Sequence, residues 1–234
     1  MKIQGSIALV TGANRGLGRA FVEALVAAGA SKIYAAARDP SSIGTPGVEP
    51  VRLDNTNEAE VRRAAQQCGD VTLLINNAAV LEPEPFLCEA GAQAARSQLE
   101  TNFFGTLALS QAFAPVLARH GGGALVNLLS VLSWLNIPQA GTYGASKAAA
   151  WALTNGLRNE LRAQGTLVVG VHAAYIDTDM ARHIHTPKTA PEAVVRQVLD
   201  AVETGCEEVL VDEVTRNVKR GLVAERPIYL GEAR

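Results

Sequence analysis

Short apolar runs alternate with segments of helical periodicity along the whole chain. The runs predict buried strands, because brief apolar stretches bounded by turn residues are typical of strands covered on both faces. Between them, apolar residues recur at three- and four-residue spacing, as from Leu17 to Ala28, which indicates helices packed on a sheet. We predict strands at residues 7–10, 32–37, 48–53, 71–75, 124–129, 167–173 and 208–211.

The alternation of strands and helices sets the expected fold class. We predict an α/β fold, a doubly wound parallel sheet of the Rossmann type, in a single domain spanning residues 1–234. The tail from residue 216 onward is charged and does not fit this core pattern. The helices are predicted at residues 17–28, 58–67, 143–163 and 191–203, with another that contains Asn102 and runs to about residue 119.

Composition narrows the class of protein. Of 234 residues, 48% are hydrophobic, which is enough for a sizeable core. The net charge of -2 predicts no nucleic-acid partner, and no apolar run is long enough to predict a membrane span. Three widely spaced cysteines and the absence of a signal-peptide pattern predict a cytoplasmic protein. No metal site is predicted, since His172, His183 and His185 have no carboxylates at ligand spacing.

A glycine-rich turn, TGANRGLG at residues 11–18, joins the first strand to the first helix. Glycines let a chain turn tightly and bring backbone amides close to a pyrophosphate, and a helix N-terminus favours an anion. An ordinary strand–helix connection is the alternative. The candidate cofactor-binding residues in the turn are Gly12, Asn14, Arg15, Gly16, Leu17 and Gly18.

The residues after the second strand predict which dinucleotide binds. An acidic residue there accepts a hydrogen bond from the ribose 2′-hydroxyl of NAD, whereas an arginine suits the 2′-phosphate of NADP. Here Ala37 precedes Arg38, and Arg15 supplies a second cation, although the adjacent Asp39 weakens the case. We therefore predict NADP(H), with solvated surface charges as the alternative interpretation of both arginines.

Tyr143 and Lys147 are four residues apart on a predicted helix and so share one face. A tyrosine is a poor base near neutral pH, but a nearby ammonium lowers the pKa of a phenol. Ser130 closes the fifth strand, where a ligand crevice of such a sheet lies, and its hydroxyl suits a bond to a substrate oxygen. These three residues predict proton transfer to or from a substrate.

Together these features resemble the short-chain dehydrogenase/reductase family, in its NADP(H)-using branch. The motifs are TGANRGLG at 11–18, NNAA at 76–79, NFFG containing Asn102, NLLS ending in Ser130, and YGASK at 143–147. The resemblance implies a catalytic tetrad of Asn102, Ser130, Tyr143 and Lys147. Tyr143 would be the acid and base, Ser130 would orient the substrate, Lys147 would also hold the nicotinamide ribose, and Asn102 would anchor a proton-conducting water.

The resemblance also implies further cofactor contacts and an assembly. Asp54 would meet the adenine, and Asn77 would steady the sheet beside the cofactor. A homodimer or homotetramer would form through the helices holding Asn102 and Tyr143. The remaining implied cofactor-binding residues are Ala78, Ile176 and Thr178, together with Tyr143 and Lys147.

Two departures from the family pattern affect the nicotinamide end. Ala79 replaces the usual glycine of NNAG, and Ala173 with Ala174 replaces the usual Pro-Gly before the nicotinamide-binding threonine, here Thr178. We expect these changes to alter the cofactor pose rather than the chemistry.

The predicted function is an NADPH-dependent reductase of a ketone or aldehyde, reversible toward the alcohol. Trp134, Leu135 and Ile137 lie between Ser130 and Tyr143, where residues line a substrate pocket or simply pack. Two alternatives stay open: a catalytically inactive NADP(H)-sensing protein, and a reductase of a C=N or C=C bond.

Overall fold

Seven parallel strands form one sheet in the computed structural model, which describes residues 1–231. Their order is β3-β2-β1-β4-β5-β6-β7. The predicted doubly wound α/β fold is therefore confirmed; residues 232–234 of the predicted domain lie outside the described part. The strands are β1 (Ile7–Thr11), β2 (Lys32–Ala37), β3 (Glu49–Arg52), β4 (Leu73–Asn76), β5 (Ala124–Leu128), β6 (Leu167–His172) and β7 (Glu208–Leu210).

Helices cover both faces of the sheet because both faces of the strands are apolar. Phe21 and Val198 lie in the core on one face, and Phe113 and Leu157 lie in the core on the other. Each such side chain contributes about 1.5–3 kcal/mol of transfer free energy when fully buried. The helices are α1 (Gly16–Ala27), α2 (Glu58–Gln67), α3 (Gly91–Leu99), α4 (Gly105–Arg119), α5 (Gly141–Leu161), α6 (Pro191–Thr204) and α7 (Glu213–Gly221).

The strand order creates a crevice at the carboxyl edge of the sheet. From β1 the chain moves outward through β2 and β3, then returns to the other side of β1 with β4. Loops leaving β1 and β4 therefore diverge, and ligands of such sheets bind at this point. The glycine-rich turn follows β1, and the NNAA segment begins at the end of β4, so both motifs meet at the crevice.

The helix predicted around Asn102 is interrupted. Helix α3 ends at Leu99, a π-helical turn covers Glu100–Phe104, and α4 begins at Gly105. Such turns add one residue to a helical circuit and occur often at functional sites. Sequence periodicity could not show it, because a single inserted residue changes the apolar spacing only locally.

The interpretation of the charged tail, from residue 216 onward, as lying outside the core pattern is wrong for residues 216–221. These residues belong to α7, whose first turn is capped by the Asp212 carboxylate accepting from the Thr215 amide at 2.8 Å. Val218 is buried and packs in one cluster with Trp134 and Val131. A nine-residue helix with one narrow apolar stripe carries too few apolar positions to reveal its packing face in the sequence.

Among residues 1–231, no helix is both long and apolar enough to cross a bilayer.

Candidate active site

The glycine-rich turn after β1 lets the backbone at the start of α1 pack closely against the backbone at the end of β1. Gly12 and Gly16 have positive φ angles of 63° and 51°, which favour glycine. A Cβ on Gly18 would collide with the carbonyl oxygen of Gly12, so α1 packs against the end of β1 only because position 18 has no side chain. Asn14 and Leu17 are half-buried within the same turn.

The start of α1 suits an anion. Arg15, at the N-cap position, makes no side-chain cap bond, and the first turn of α1 contains no acidic residue. The amides of a helical first turn have no partner within the helix, and the helix dipole favours negative charge beside them. The turn therefore fits the pyrophosphate of a dinucleotide.

Gly18→Ala is expected to destabilise the fold, because the added methyl forces α1 away from the Gly12 carbonyl. Overpacking of this kind costs about 1–3 kcal/mol, measured as the change in free energy of unfolding in urea. Gly44→Ala is the matched control, since a Cβ there meets nothing within 4 Å. Equal stability of the two variants would contradict the close approach.

Thr11, which sequence reasoning passed over, ties β1 to β4 beneath the turn. Its Oγ1 accepts from the backbone amides of Asn77 and Ala78, both at 3.0 Å. The Asn77 side chain donates in return to the carbonyl of Thr11 at 2.8 Å. These bonds hold the two strand ends together beside the crevice.

The two arginines that are predicted to bind the 2′-phosphate lie just after β1 and β2. Arg15 and Arg38 are exposed. Asp39 is engaged locally, because its Oδ1 accepts from the amide and the hydroxyl of Ser41 at 3.0 and 2.7 Å. Those bonds from Ser41 hold the pKa of Asp39 below its usual value. Asp39 is therefore held as a carboxylate by Ser41, and its negative charge stays beside Arg38.

Asp54 lies half-buried just beyond β3. Partial burial opposes its ionisation, but the hydroxyl and amide of Thr56 both donate to it, at 2.7 and 3.0 Å. With Arg38 and Arg52 nearby, these bonds outweigh the burial and lower the pKa of Asp54. A fixed carboxylate beside Arg38 is therefore present at neutral pH.

The structure brings Ser130, Tyr143 and Lys147 together at the end of β5. Tyr143 lies in the first turn of α5, and Lys147 follows one turn later with its Nζ 5.7 Å from the Tyr143 ring centroid. Lys147 is buried and donates to the Leu128 carbonyl at 2.7 Å. That bond ties α5 to the end of β5, where Ser130 begins the next turn.

The expectation that Lys147 lowers the pKa of Tyr143 is wrong for this arrangement. Burial raises the pKa of the Tyr143 phenol, and the hydrogen bond with Ser130 opposes this only in part. Burial also lowers the pKa of Lys147 to about 8. The ammonium is directed at the Leu128 carbonyl, so loss of hydration is the largest influence on the pKa of Tyr143. Tyr143 is a neutral phenol at physiological pH, which suits a proton donor.

The hydroxyl of Ser130 is arranged to donate. Its Oγ accepts a hydrogen bond from the Leu132 amide at 3.1 Å, while the Ser130 amide donates to the Ser133 hydroxyl at 3.3 Å. A hydroxyl has one hydrogen and two lone pairs. One lone pair is engaged by Leu132, and the O–H hydrogen, which is used toward Tyr143 in this structure, can turn to a substrate oxygen that enters the crevice.

Asn102 lies in the π-helical turn and is 2% exposed. Its side chain accepts from the Val80 amide at 2.9 Å and donates to the Val80 carbonyl at 3.0 Å. A further bond, at 2.9 Å, reaches the hydroxyl of Ser146 in α5. Asn102 thus fixes the segment after Ala79 to the helix that carries Tyr143. Val80 and Ser146 had no recognisable signal in the sequence.

The loop after β6 returns to the glycine turn. The methyl carbon of Thr178 lies 3.3 Å from the position that a Cβ on Gly16 would occupy. Ile176, which pairs with Thr189 in an isolated bridge, packs against the core. Where the family has Pro-Gly, the Ala174 amide donates to the Asp212 carboxylate at 2.8 Å.

Among residues 1–231, no group of three or more His, Cys, Asp or Glu side chains could hold a metal ion.

The chain is similar to known proteins. A family model described as short chain dehydrogenase matches residues 6–189. Carbonyl reductase [NADPH] 2 of Sus scrofa is 33% identical over 79% of this chain and 77% of its own length. A short chain dehydrogenase from Burkholderia cenocepacia J2315, crystallised with NADP, is 42% identical, with a TM-score of 0.93 over 97% of this chain and 96% of that one. A Burkholderia phymatum relative in complex with NAD is 25% identical, with a TM-score of 0.85 over 94% of both chains.

Proposed function

This chain belongs to the short-chain dehydrogenase family, and we propose that it is an NADP(H)-dependent reductase of a ketone or aldehyde, reversible toward the alcohol. The observation that carries the proposal is the meeting of Ser130, Tyr143 and Lys147 at the crevice beside the glycine turn. The catalytic tetrad is completed by Asn102.

The choice of cofactor rests on charge. The amides of the glycine turn and the start of α1 suit a pyrophosphate, and two exposed arginines, Arg15 and Arg38, suit a 2′-phosphate. The NADP complex of the Burkholderia cenocepacia relative supports this choice. The NAD complex of the Burkholderia phymatum relative shows that both dinucleotides occur among similar structures. The preference of this chain for NADP(H) over NAD(H) therefore has to be measured.

The chain's own groups supply the proton and the orientation. When bound, the nicotinamide supplies or accepts the hydride. The Tyr143 hydroxyl donates its proton to the carbonyl oxygen, and Ser130 donates a hydrogen bond to the same oxygen. Lys147, charged below pH about 8, holds the ribose. Asn102 fixes the loop through Val80 and, as the resemblance implies, anchors a water that leads protons to Lys147.

The protonated state of Tyr143 suits the reductive direction. Reduction of a carbonyl needs a proton donor at the start, and burial raises the pKa of Tyr143 so that the phenol keeps its proton. The Sus scrofa relative is named for the same direction of reaction.

The purified chain is expected to oxidise NADPH in the presence of carbonyl compounds. The test is a panel of aldehydes, aliphatic ketones, keto sugars and keto esters, followed by the loss of reduced-nicotinamide absorbance, with an imine and an enone as controls for other double bonds. Turnover of the imine or the enone alone would favour a C=N or C=C reductase. NADPH binding without turnover of any compound would favour a sensing protein.

We also propose a homodimer or homotetramer formed through α4 and α5. A mostly apolar groove runs between these helices, and Phe104, whose ring packs edge-on against that of Phe103 in the groove lining, is half exposed. Apolar helix faces of this kind need a partner. The groove is lined by Phe103, Leu107, Ala149, Ala152, Leu153 and Gly156, among others.

Ala152→Arg is expected to shift the assembly toward the monomer, because it puts a charge into the apolar groove. Light scattering at micromolar concentration measures the mass, and the wild-type chain should give a dimer or a tetramer. Ala59→Arg, at an exposed position in the first turn of α2, is the matched control and should leave that mass unchanged. A wild-type monomer throughout the range would contradict the proposal.

A further inference from the structure

His172 lies fully buried at the end of β6, with its Nδ1 3.1 Å from the backbone carbonyl oxygen of Ser130. We propose that His172 is a positioning residue for Ser130: a neutral imidazole, protonated on Nδ1, that fixes the Ser130 backbone so that its hydroxyl faces the substrate oxygen. This inference rests on the proposed function, since His172 is given a role only through Ser130.

The partner of Nδ1 decides the tautomer. A carbonyl oxygen only accepts hydrogen bonds, so Nδ1 must carry the hydrogen and Nε2 must be bare. Consistent with this, Nε2 has no hydrogen-bond partner within residues 1–231, and the nearest carboxylate oxygen, of Glu208, lies 3.9 Å away. An Nε2–H tautomer would leave two acceptors facing each other across 3.1 Å, which is repulsive.

The imidazole is also kept neutral. Burial lowers the pKa of His172 to about 3, the Ser130 carbonyl opposes this, and the charges of Lys219, Arg158 and Lys147 lower the pKa further. Glu208, the acid that faces the ring, is itself paired with Lys219 of α7. The neutral imidazole therefore donates from Nδ1 to the Ser130 carbonyl throughout the physiological pH range.

Aromatic packing fixes the plane of the ring. Trp134 stacks on His172 with ring centroids 3.9 Å apart and planes inclined by 21°. Trp151 of α5 meets Trp134 edge-on at 6.3 Å, and Lys219 lies 5.7 Å from the Trp134 ring on the side of α7. The imidazole cannot turn without displacing this stack, so its N–H is held on the Ser130 carbonyl.

The contacts of Ser130 show why this bond matters. Its amide and hydroxyl are bonded within its own turn, to Ser133 and Leu132. Its carbonyl accepts from the Ser133 amide of the same turn at 3.0 Å and also from His172, which lies on a different strand. The amides of Leu129 and Val131 also bond to Val171 and Ala173, at 2.8 and 2.9 Å, so loss of the His172 bond leaves only the Ser130 peptide between them free to rotate. A misplacement of about 1 Å in a catalytic group costs up to about 10²-fold in rate.

Two amide variants separate the two ring nitrogens. In asparagine the amide nitrogen is attached to Cγ, as Nδ1 is in histidine, so His172→Asn keeps a donor near the Ser130 carbonyl. In glutamine it lies one bond farther out, near the place of Nε2, so His172→Gln loses that donor while keeping the polarity. We expect the kcat of His172→Asn to stay within about threefold of the wild-type value. We expect His172→Gln to lower kcat about 10-fold, because a small displacement of Ser130 reduces the rate.

A double-mutant cycle with Ser130→Ala gives the decisive readout. If His172 acts through the Ser130 hydroxyl, His172→Gln should cost less than about twofold in the Ser130→Ala background, since residues that act as a unit are not additive. The dissociation constant for NADPH and the melting temperature should agree between the two amide variants. A loss of kcat of the same size in both backgrounds, or equal kcat for the Asn and Gln variants, would overturn the proposal.

The design keeps two failures apart. If Ser130→Ala and Tyr143→Phe themselves retain activity, the proposed function fails. If both lose activity while His172→Gln does not, only the role of His172 fails. Should His172→Gln not fold, His172→Leu, which has a similar volume and no donor, is held to the same expectations.

Discussion

Tyr143→Phe is expected to lower kcat for carbonyl reduction by about 10²-fold or more, the usual loss when a positioned general acid is removed. The variant lacks only the hydroxyl that donates the proton, and the ring keeps its place in α5 beside Lys147. NADPH should therefore still bind. Steady-state kinetics with the best substrate of the carbonyl panel, together with a fluorescence titration of NADPH, measure both quantities.

Tyr229→Phe is the matched control for that variant. Tyr229 is 56% exposed and lies far along the chain, in the short turn Ile228–Leu230. The kcat of the Tyr229→Phe variant should equal that of the wild type. Near-normal turnover by Tyr143→Phe would remove Tyr143 from the proton-transfer role, and loss of NADPH binding would mean that the hydroxyl holds the cofactor instead.

Arg38→Ala is expected to reduce kcat/KM with NADPH by about 10–150-fold and to leave kcat/KM with NADH nearly unchanged. Hydrogen bonds to charged groups contribute about 1.5–3 kcal/mol, and a 2′-phosphate offers close to two negative charges to a guanidinium. NADH has no phosphate at that position, so the same truncation removes nothing that it uses. Arg15→Ala should show the same selectivity to a smaller degree.

Arg162→Ala is the control for the loss of a surface arginine. Arg162 follows α5 and precedes β6, at the opposite edge of the sheet, and its ion pair with Glu207 is exposed. This variant should leave kcat/KM unchanged with both NADPH and NADH. Equal or better kcat/KM of the wild-type enzyme with NADH would contradict the predicted preference. An equal loss with both cofactors in Arg38→Ala would mean that Arg38 supports the fold or stacks on the adenine.

The strands were predictable because a parallel sheet covered on both faces leaves unbroken apolar runs. The run at 32–37 coincides with β2, and the others differ from their strands by one or two residues at one end or at both. The helix interruption at Glu100–Phe104 and the packing of α7 were not predictable. Both depend on contacts between distant parts of the chain, which leave only a weak local pattern.

The candidate site divides in the same way. Tyr143 and Lys147 share a face by helical spacing alone, and their meeting with Ser130 follows from the ends of parallel strands and the start of the next helix. The pKa of Tyr143 was predicted in the wrong direction, since spacing shows a neighbouring charge but not the loss of water around a phenol. His172 gave no signal because its role depends on β6 lying beside β5.

Transfer of deuterium from labelled NADPH tests the central claim most directly. The wild-type chain is incubated with a carbonyl substrate and NADPH deuterated at both C4 positions, and the product is analysed by mass spectrometry. The account predicts an alcohol that carries deuterium on the former carbonyl carbon, formed rapidly by the wild type and about 10²-fold more slowly by Tyr143→Phe. Product without deuterium, or equal rates for the two proteins, would contradict it.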